Sequence, residues 1–215
     1  MLHARALLFY IDGTVLDTRE LIIQATEHAL SSCGYPVPER LHTAREVGKP
    51  IEEFYRNLSG FADVDPFITP HRAFGYSNLN LSVPFPNSVK TLSALQERGF
   101  KIGAVTSRSH TSVETLKRAG AADFFGVVIS PDDTPVHKPE PTPLFMALKV
   151  LGERPGEAVM IGDSDLDVQA GKNAGMKTIR ARYGFHSDNL HNPEPDAIIG
   201  DISELLNLLV FAEEG

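Results

Sequence analysis

The chain has 215 residues, 42% apolar and 22% charged, and its 28 acidic against 20 basic side chains leave a formal net charge of −8. That length supports one α/β domain with room for a small insertion. The acidic balance, with no basic run, argues against nucleic acid or an anionic membrane as partner, and a lone Cys33 excludes an internal disulfide or a two-cysteine metal knuckle.

The first apolar run, Ala6 to Ile11, reads as a buried strand closed by Asp12. It is too short for a signal-peptide core, and no later stretch approaches the roughly 18 apolar residues of a membrane span. A soluble cytoplasmic protein acting on a small molecule is therefore expected. From Asp17 to Val83 the text offers helical pieces and turn residues but no strand, the pattern of a helical insertion. Its first helix opens on Asp17 and Glu20 in capping-box spacing, continues through Leu21, Ile22, Ala25, Ala29 and Leu30, and ends before Gly34. Pro84 and Pro86 stiffen the return.

From residue 86 onward short apolar runs alternate with helical periods. Strands are predicted at Ile102 to Thr106, Gly126 to Ile129, Val159 to Ile161, Thr178 to Ile179 and Ala197 to Ile199. Helices are predicted at Ser88 to Arg98, Thr111 to Ala119, Pro143 to Leu151, Asp165 to Ala174 and Ile202 to Phe211. The expected fold class is α/β, a doubly wound parallel sheet formed by residues 1–16 and 84–215, with a small all-helical unit, residues 17–83, inserted into it.

Ligands of such sheets sit at the carboxyl ends of the strands. Four segments fall there: Asp12-Gly13-Thr14, Thr106-Ser107, Lys138-Pro139-Glu140-Pro141, and Gly162-Asp163-Ser164-Asp165-Leu166-Asp167. Each has an ordinary reading by itself, as a turn, a helix cap or a solvated lysine. Together they are carboxylates, hydroxyls and an ammonium on one edge, the groups that hold Mg²⁺ and neutralise a phosphate. Cys33 reads as a small buried apolar residue, and the eight histidines, His28, His42, His71 and His110 among them, lack metal-ligand spacing. Tyr183-Gly184-Phe185 follows the fifth strand near the same edge, to pack or to line a pocket.

In this order the four segments resemble the haloacid dehalogenase superfamily, and within it the phosphoglycolate phosphatase-like branch with a small helical cap. The resemblance spans nearly the whole chain, including Ala170-Gly171-Lys172-Asn173-Ala174-Gly175-Met176 after the fourth motif. It implies a Mg²⁺-dependent phosphatase acting on a small phosphorylated metabolite through an aspartyl-phosphate. Asp12 matches the general acid/base and, through its carbonyl, a metal ligand. Asp163 matches a metal ligand and Asp167 its support, while Thr106, Ser107 and Lys138 match the phosphate-binding side chains. The segment 17–83 matches the cap, with Gly48-Lys49-Pro50 as the loop expected to face the site.

One position departs from the pattern. The family's Asp-x-Asp-Gly-Thr begins with the nucleophile, and here Tyr10 stands in that place in Tyr10-Ile11-Asp12-Gly13-Thr14. A phenol of pKa about 10 is a weak nucleophile and a poor magnesium ligand, and its ring reaches further than a carboxylate, into the expected place of the phosphate. Three readings stay open: a natural pseudoenzyme, a single substitution of an active parent, or a tyrosine with chemistry of its own. The rival activities are a non-catalytic binder of phosphorylated ligands or proteins, a phosphomutase, and a 2-haloacid dehalogenase. The last is disfavoured by the intact Asp12, Asp163 and Asp167, which it would not need.

Overall fold

The computed structural model describes residues 1–47, 49–108, 111–186 and 192–213. In chain order it begins with strands β1 (Leu2–Ala4), β2 (Ala6–Phe9) and β3 (Leu16–Asp17), then helices α1 (Arg19–Ser32), α2 (Arg40–Glu46), α3 (Ile51–Ser59) and α4 (Asp65–Ser77). It continues with β4 (Val83–Pro84), α5 (Ser88–Glu97), β5 (Lys101–Val105), α6 (Ser112–Arg118), β6 (Val127–Ile129), α7 (Thr142–Leu151), β7 (Ala158–Gly162) and α8 (Asp165–Asn173). The chain closes with β8 (Lys177–Ala181), β9 (Ala197–Ile199), α9 (Leu205–Leu208) and β10 (Leu209–Phe211).

Six strands pair in parallel in the order β6-β5-β2-β7-β8-β9. This is the expected doubly wound α/β sheet, with β2 central and the order reversing on either side of it, the place where such sheets bind ligands. The side-chain period of two splits β2 between two cores. Leu7 and Phe9 pack with Leu92, Leu95 and Ile102 on one face. Leu8 and Tyr10 pack with Leu144, Leu148 and Met160 on the other.

Helices α1–α4 carry a third apolar cluster of their own, built from Ala29, Leu30, Phe54, Tyr55, Val64 and Phe67. The unit leaves and rejoins the sheet through the β3–β4 ribbon, in which Leu16 faces Pro84 and Asp17 faces Val83. No helix among the described residues is long and apolar enough to cross a membrane.

Four sequence expectations need correction. The first strand ends at Phe9 rather than Ile11, because the Ile11 carbonyl accepts from the N–H groups of Thr14, Val15 and Leu16 and so turns the chain. Asp17 and Glu20 do not form a capping box: Asp17 lies in β3 and its Oδ1 accepts the N–H of Arg19 at the start of α1 at 3.1 Å, but Thr18 is the N-cap residue and Glu20 binds Gln24 and Arg40 instead of the helix end. Ile202 to Phe211 is not one helix. A capping box of Asp201 and Glu204 starts a short 3₁₀ turn, α9 follows for four residues, and Leu209–Phe211 becomes a strand parallel to β1. The unpaired edge of β1 offers the ladder that converts the end of the helical period into strand. Cys33, read as buried, is half-buried, with its Sγ 3.4 Å from the Pro66 carbonyl.

Candidate active site

A cavity of about 230 Å³ opens between the carboxyl edge of the sheet and helices α1–α4. Tyr10, Asp12, Ser107, Arg108 and Lys138 line it from the core. From the helical side Ile22, Phe54, His71 and Arg72 face it, together with Lys49 and Pro50 of the predicted loop; Gly48 lies outside the described residues.

Tyr10 continues the line of β2, its N–H donating to Ile161 at 2.9 Å, and is 2% exposed. Its hydroxyl lies 2.6 Å from Ser107 Oγ, and Lys138 Nζ sits 3.4 Å from its ring centroid. Burial, reinforced by the charges of Asp12 and Asp167, pushes the phenol well above its ordinary pKa, so it stays protonated. The hydrogen-bond partner of its hydroxyl among the described residues is Ser107, which is not the activating base that a tyrosyl nucleophile needs.

Asp12 is drawn to Arg108, with Nη2 2.7 Å from Oδ1 and Nε 3.4 Å from Oδ2. Both side chains are largely buried, which makes this a bidentate pair of the geometrically specific kind. Thr106, 5% exposed, carries the β5 direction onward by donating its N–H to Ile129, and its Oγ1 accepts the Arg108 N–H at 3.0 Å. Thr106 therefore shapes the turn that presents Ser107 and Arg108 and does not itself line the cavity.

Asp167 has two duties. Its Oδ2 accepts from Ser164 N at 3.1 Å and Ser164 Oγ at 2.6 Å, completing a capping box at the start of α8. Its Oδ1 pairs with Lys138. Asp163, 1% exposed, accepts from Phe185 N at 2.8 Å and faces His186 Nδ1 at 3.4 Å. Burial works against a charged His186, but the hydrogen bond and charge of Asp163 raise its pKa overall. Tyr183 donates its hydroxyl to the Thr14 carbonyl at 2.8 Å, so the Tyr183-Gly184-Phe185 segment braces both the Gly13-Thr14 turn and the Asp163 loop.

The structure thus gathers Tyr10, Asp12, Ser107 and Lys138 around one cavity; Thr106 and Asp167 hold the lining residues Arg108 and Lys138, and Asp163 is not part of the lining. It does not turn the carboxylates of Asp12, Asp163 and Asp167 toward a common point: among the described residues no three acidic or histidine side chains form a metal cage. Asp12 faces Arg108, and Asp167 spends both oxygens on Lys138 and Ser164. Sequence reading missed Arg108 and His71. Arg108 follows Thr106-Ser107 directly, so its nearness to the strand end was the available signal. His71 had none, because only the packing of α4 over the sheet edge brings it there.

The haloacid dehalogenase-like hydrolase family matches residues 7–181 of the chain. The chain belongs to this family. Among hydrolases of known name, the pyrophosphatase PpaX of Bacillus velezensis is 34% identical over 206 residues, 94% of this chain and 95% of that protein. PpaX of Halalkalibacterium halodurans is 31% identical over 97% of this chain and 98% of its own length. Solved haloacid dehalogenase-like folds agree. CbbY from Rhodobacter sphaeroides in complex with phosphate superimposes with a TM-score of 0.78 at 25% identity, covering 94% of this chain and 96% of CbbY. A HAD phosphatase from Thermococcus onnurineus gives 0.74 at 28% identity, covering 95% and 97%.

Proposed function

We propose that this chain is a phosphatase scaffold of the haloacid dehalogenase type for small phosphate esters or pyrophosphate, with phosphoryl transfer stopped at Tyr10. The observation that carries it is the grouping of Ser107, Arg108 and Lys138 beside Asp12 on the floor of one cavity at the switch point of the sheet. The relatives named as pyrophosphatases, and the CbbY neighbour holding phosphate, support the substrate class. The compartment we assign is the cytoplasm. Residues 17–83 serve as the cap and residues 1–16 and 84–215 as the core, a division supported by the separate apolar cluster of α1–α4 and by the ribbon that joins it.

Magnesium suits the oxygens present. Asp163 has one carboxylate oxygen with no hydrogen bond from the described residues, and the Asp12 carbonyl likewise accepts none. Magnesium is commonly held by one or two protein carboxylates, with waters and substrate phosphate completing its shell. Asp163 and the Asp12 carbonyl would hold it, with Asp167 as support through its placement of Lys138. When bound, it would neutralise and orient a phosphate. Ser107 and Lys138 would bind phosphate oxygens, the Thr106 turn would position them, and the Asp12 carboxylate would exchange the leaving-group proton once Arg108 lets it turn.

With no carboxylate at position 10 the chain binds and does not turn over, the pseudophosphatase reading. Tyr10→Asp supplies the missing attacking oxygen. The test is Mg²⁺-dependent hydrolysis of an aryl phosphate and of pyrophosphate. Tyr10→Asp is expected to turn over, Tyr10→Asp with Asp163→Asn to fall by about 10²-fold or more, and the chain itself to show no hydrolysis above background. Hydrolysis by the unaltered chain that Asp163→Asn abolishes would overturn the assignment of Tyr10.

A further inference from the structure

Two of the side chains assigned to phosphate already share a partner. Ser107 Oγ lies 2.6 Å from Tyr10 Oη, and Lys138 Nζ lies 3.4 Å from the centre of the Tyr10 ring, well inside the roughly 6 Å reach of a cation–π contact. Position 10 faces the Thr106-Ser107 turn because β2 pairs with β5, and Lys138, from the loop between β6 and α7, reaches across to its ring. We propose that Tyr10 is a tethered stand-in for phosphate: its hydroxyl fills the hydrogen-bonding place at Ser107 and its ring face takes the ammonium of Lys138. The chain then admits a phosphate-like oxyanion only by expelling this ring. The inference rests on the reading of Ser107 and Lys138 as phosphate ligands.

Three features of the surroundings favour a built contact over a passive filler. The ring is 2% exposed and packs with Leu8, Val105 and Leu144, so it belongs to the core of that face of the sheet. Lys138 keeps its partner Asp167 while lying over the ring, so the ammonium faces an acid on one side and a π-surface on the other. Arg108, the remaining cation on the floor, is closed on Asp12. The hydroxyl and both cations that would meet a phosphate are thereby satisfied from within the protein.

Expelling an aromatic ring from a core exposes apolar area that corresponds to roughly a ten- to hundredfold weakening of binding. That ratio is what the experiment reads. Tungstate, a phosphate-like oxyanion, is titrated calorimetrically into the chain, Tyr10→Ala, Tyr10→Ser and Tyr10→Ala with Lys138→Ala, each at saturating Mg²⁺. Melting-temperature shifts with and without tungstate are read in parallel, since a ligand selective for the native state must stabilise it. The expected result is at least tenfold tighter binding by Tyr10→Ala than by the parent chain, lost again on Lys138→Ala. Tyr10→Ser provides the same reading if the Ala variant does not fold. Equal binding by parent and Tyr10 variants, abolished by Lys138→Ala, would overturn the stand-in role and leave the phosphate site intact. Absence of binding in every variant would overturn both.

Discussion

Asp163 shows how closely the backbone is fitted around a single carboxylate. Gly13 holds φ at +81°, a conformation that L side chains rarely adopt, and a Cβ there would lie 2.4 Å from Asp163 Oδ2. A Cβ on Gly184 would lie 2.3 Å from both Asp163 Cβ and the Gly13 carbonyl. Gly184→Ala is therefore expected to cost about 1–3 kcal/mol in urea unfolding and to reduce any Mg²⁺-dependent stabilisation. Gly156→Ala, with open space around its Cβ, is the control that should do neither. The reason for Gly13 was visible in the text as a turn glycine after a strand. The reason for Gly184 was not, because it comes from two loops distant in sequence meeting at one carboxylate. Tyr10 was legible as a departure from a pattern, and its hydrogen bond to Ser107 was not, since that depends on the β2–β5 register.

Among the elements, strands were the most legible part of the fold. Buried parallel strands are short, nearly continuous apolar runs, and β5 to β9 stand close to where those runs predict them. The end of the chain was misread because a short amphipathic period satisfies either a helix or a strand, and the choice was made by β1 waiting beside it. The β8–β9 edge is held by a side chain that no local pattern marks. Asp196 accepts from Lys172 Nζ, Lys177 Nζ, Thr178 N and Thr178 Oγ1 at 3.0–3.2 Å. Burial opposes its charge, but these donors win and hold the carboxyl at about 2, below its ordinary 3.8. A depressed carboxyl contributes stability that is complete above about pH 3.8 and disappears as the pH falls to about 2. Asp196→Ala should lower unfolding free energy at pH 7 by about 1–3 kcal/mol, and the difference from the parent should vanish near pH 2. A difference that persists unchanged to pH 2 would show that the ion pairs are not its source.

On the scale of the molecule, the helical insertion is expected to give way to acid before the sheet does. His71 faces the cavity from α4 with Tyr55 Oη 2.8 Å from its Nδ1. Burial, aided by the charges of Arg108 and Arg72, brings its pKa from 6.5 down to about 4. The unfolded chain takes up that proton first, so stability is complete above about pH 6.5 and falls as the pH drops toward 4. Amide hydrogen exchange at pH 5 against pH 7 should show α3 and α4 losing protection while β2, β5 and β7 keep theirs, and His71→Phe should remove the contrast. Uniform loss across both parts would show that they unfold as one unit. The ribbon between them carries a separate consequence. Because the chain departs at Leu16–Asp17 and returns at Val83–Pro84 in paired neighbouring strands, the two splice points lie about one strand spacing apart, roughly 5 Å. Any segment whose ends meet that single spacing can replace the present one without disturbing the six-strand register, so the roof of the site is exchangeable as a cassette while its floor is not.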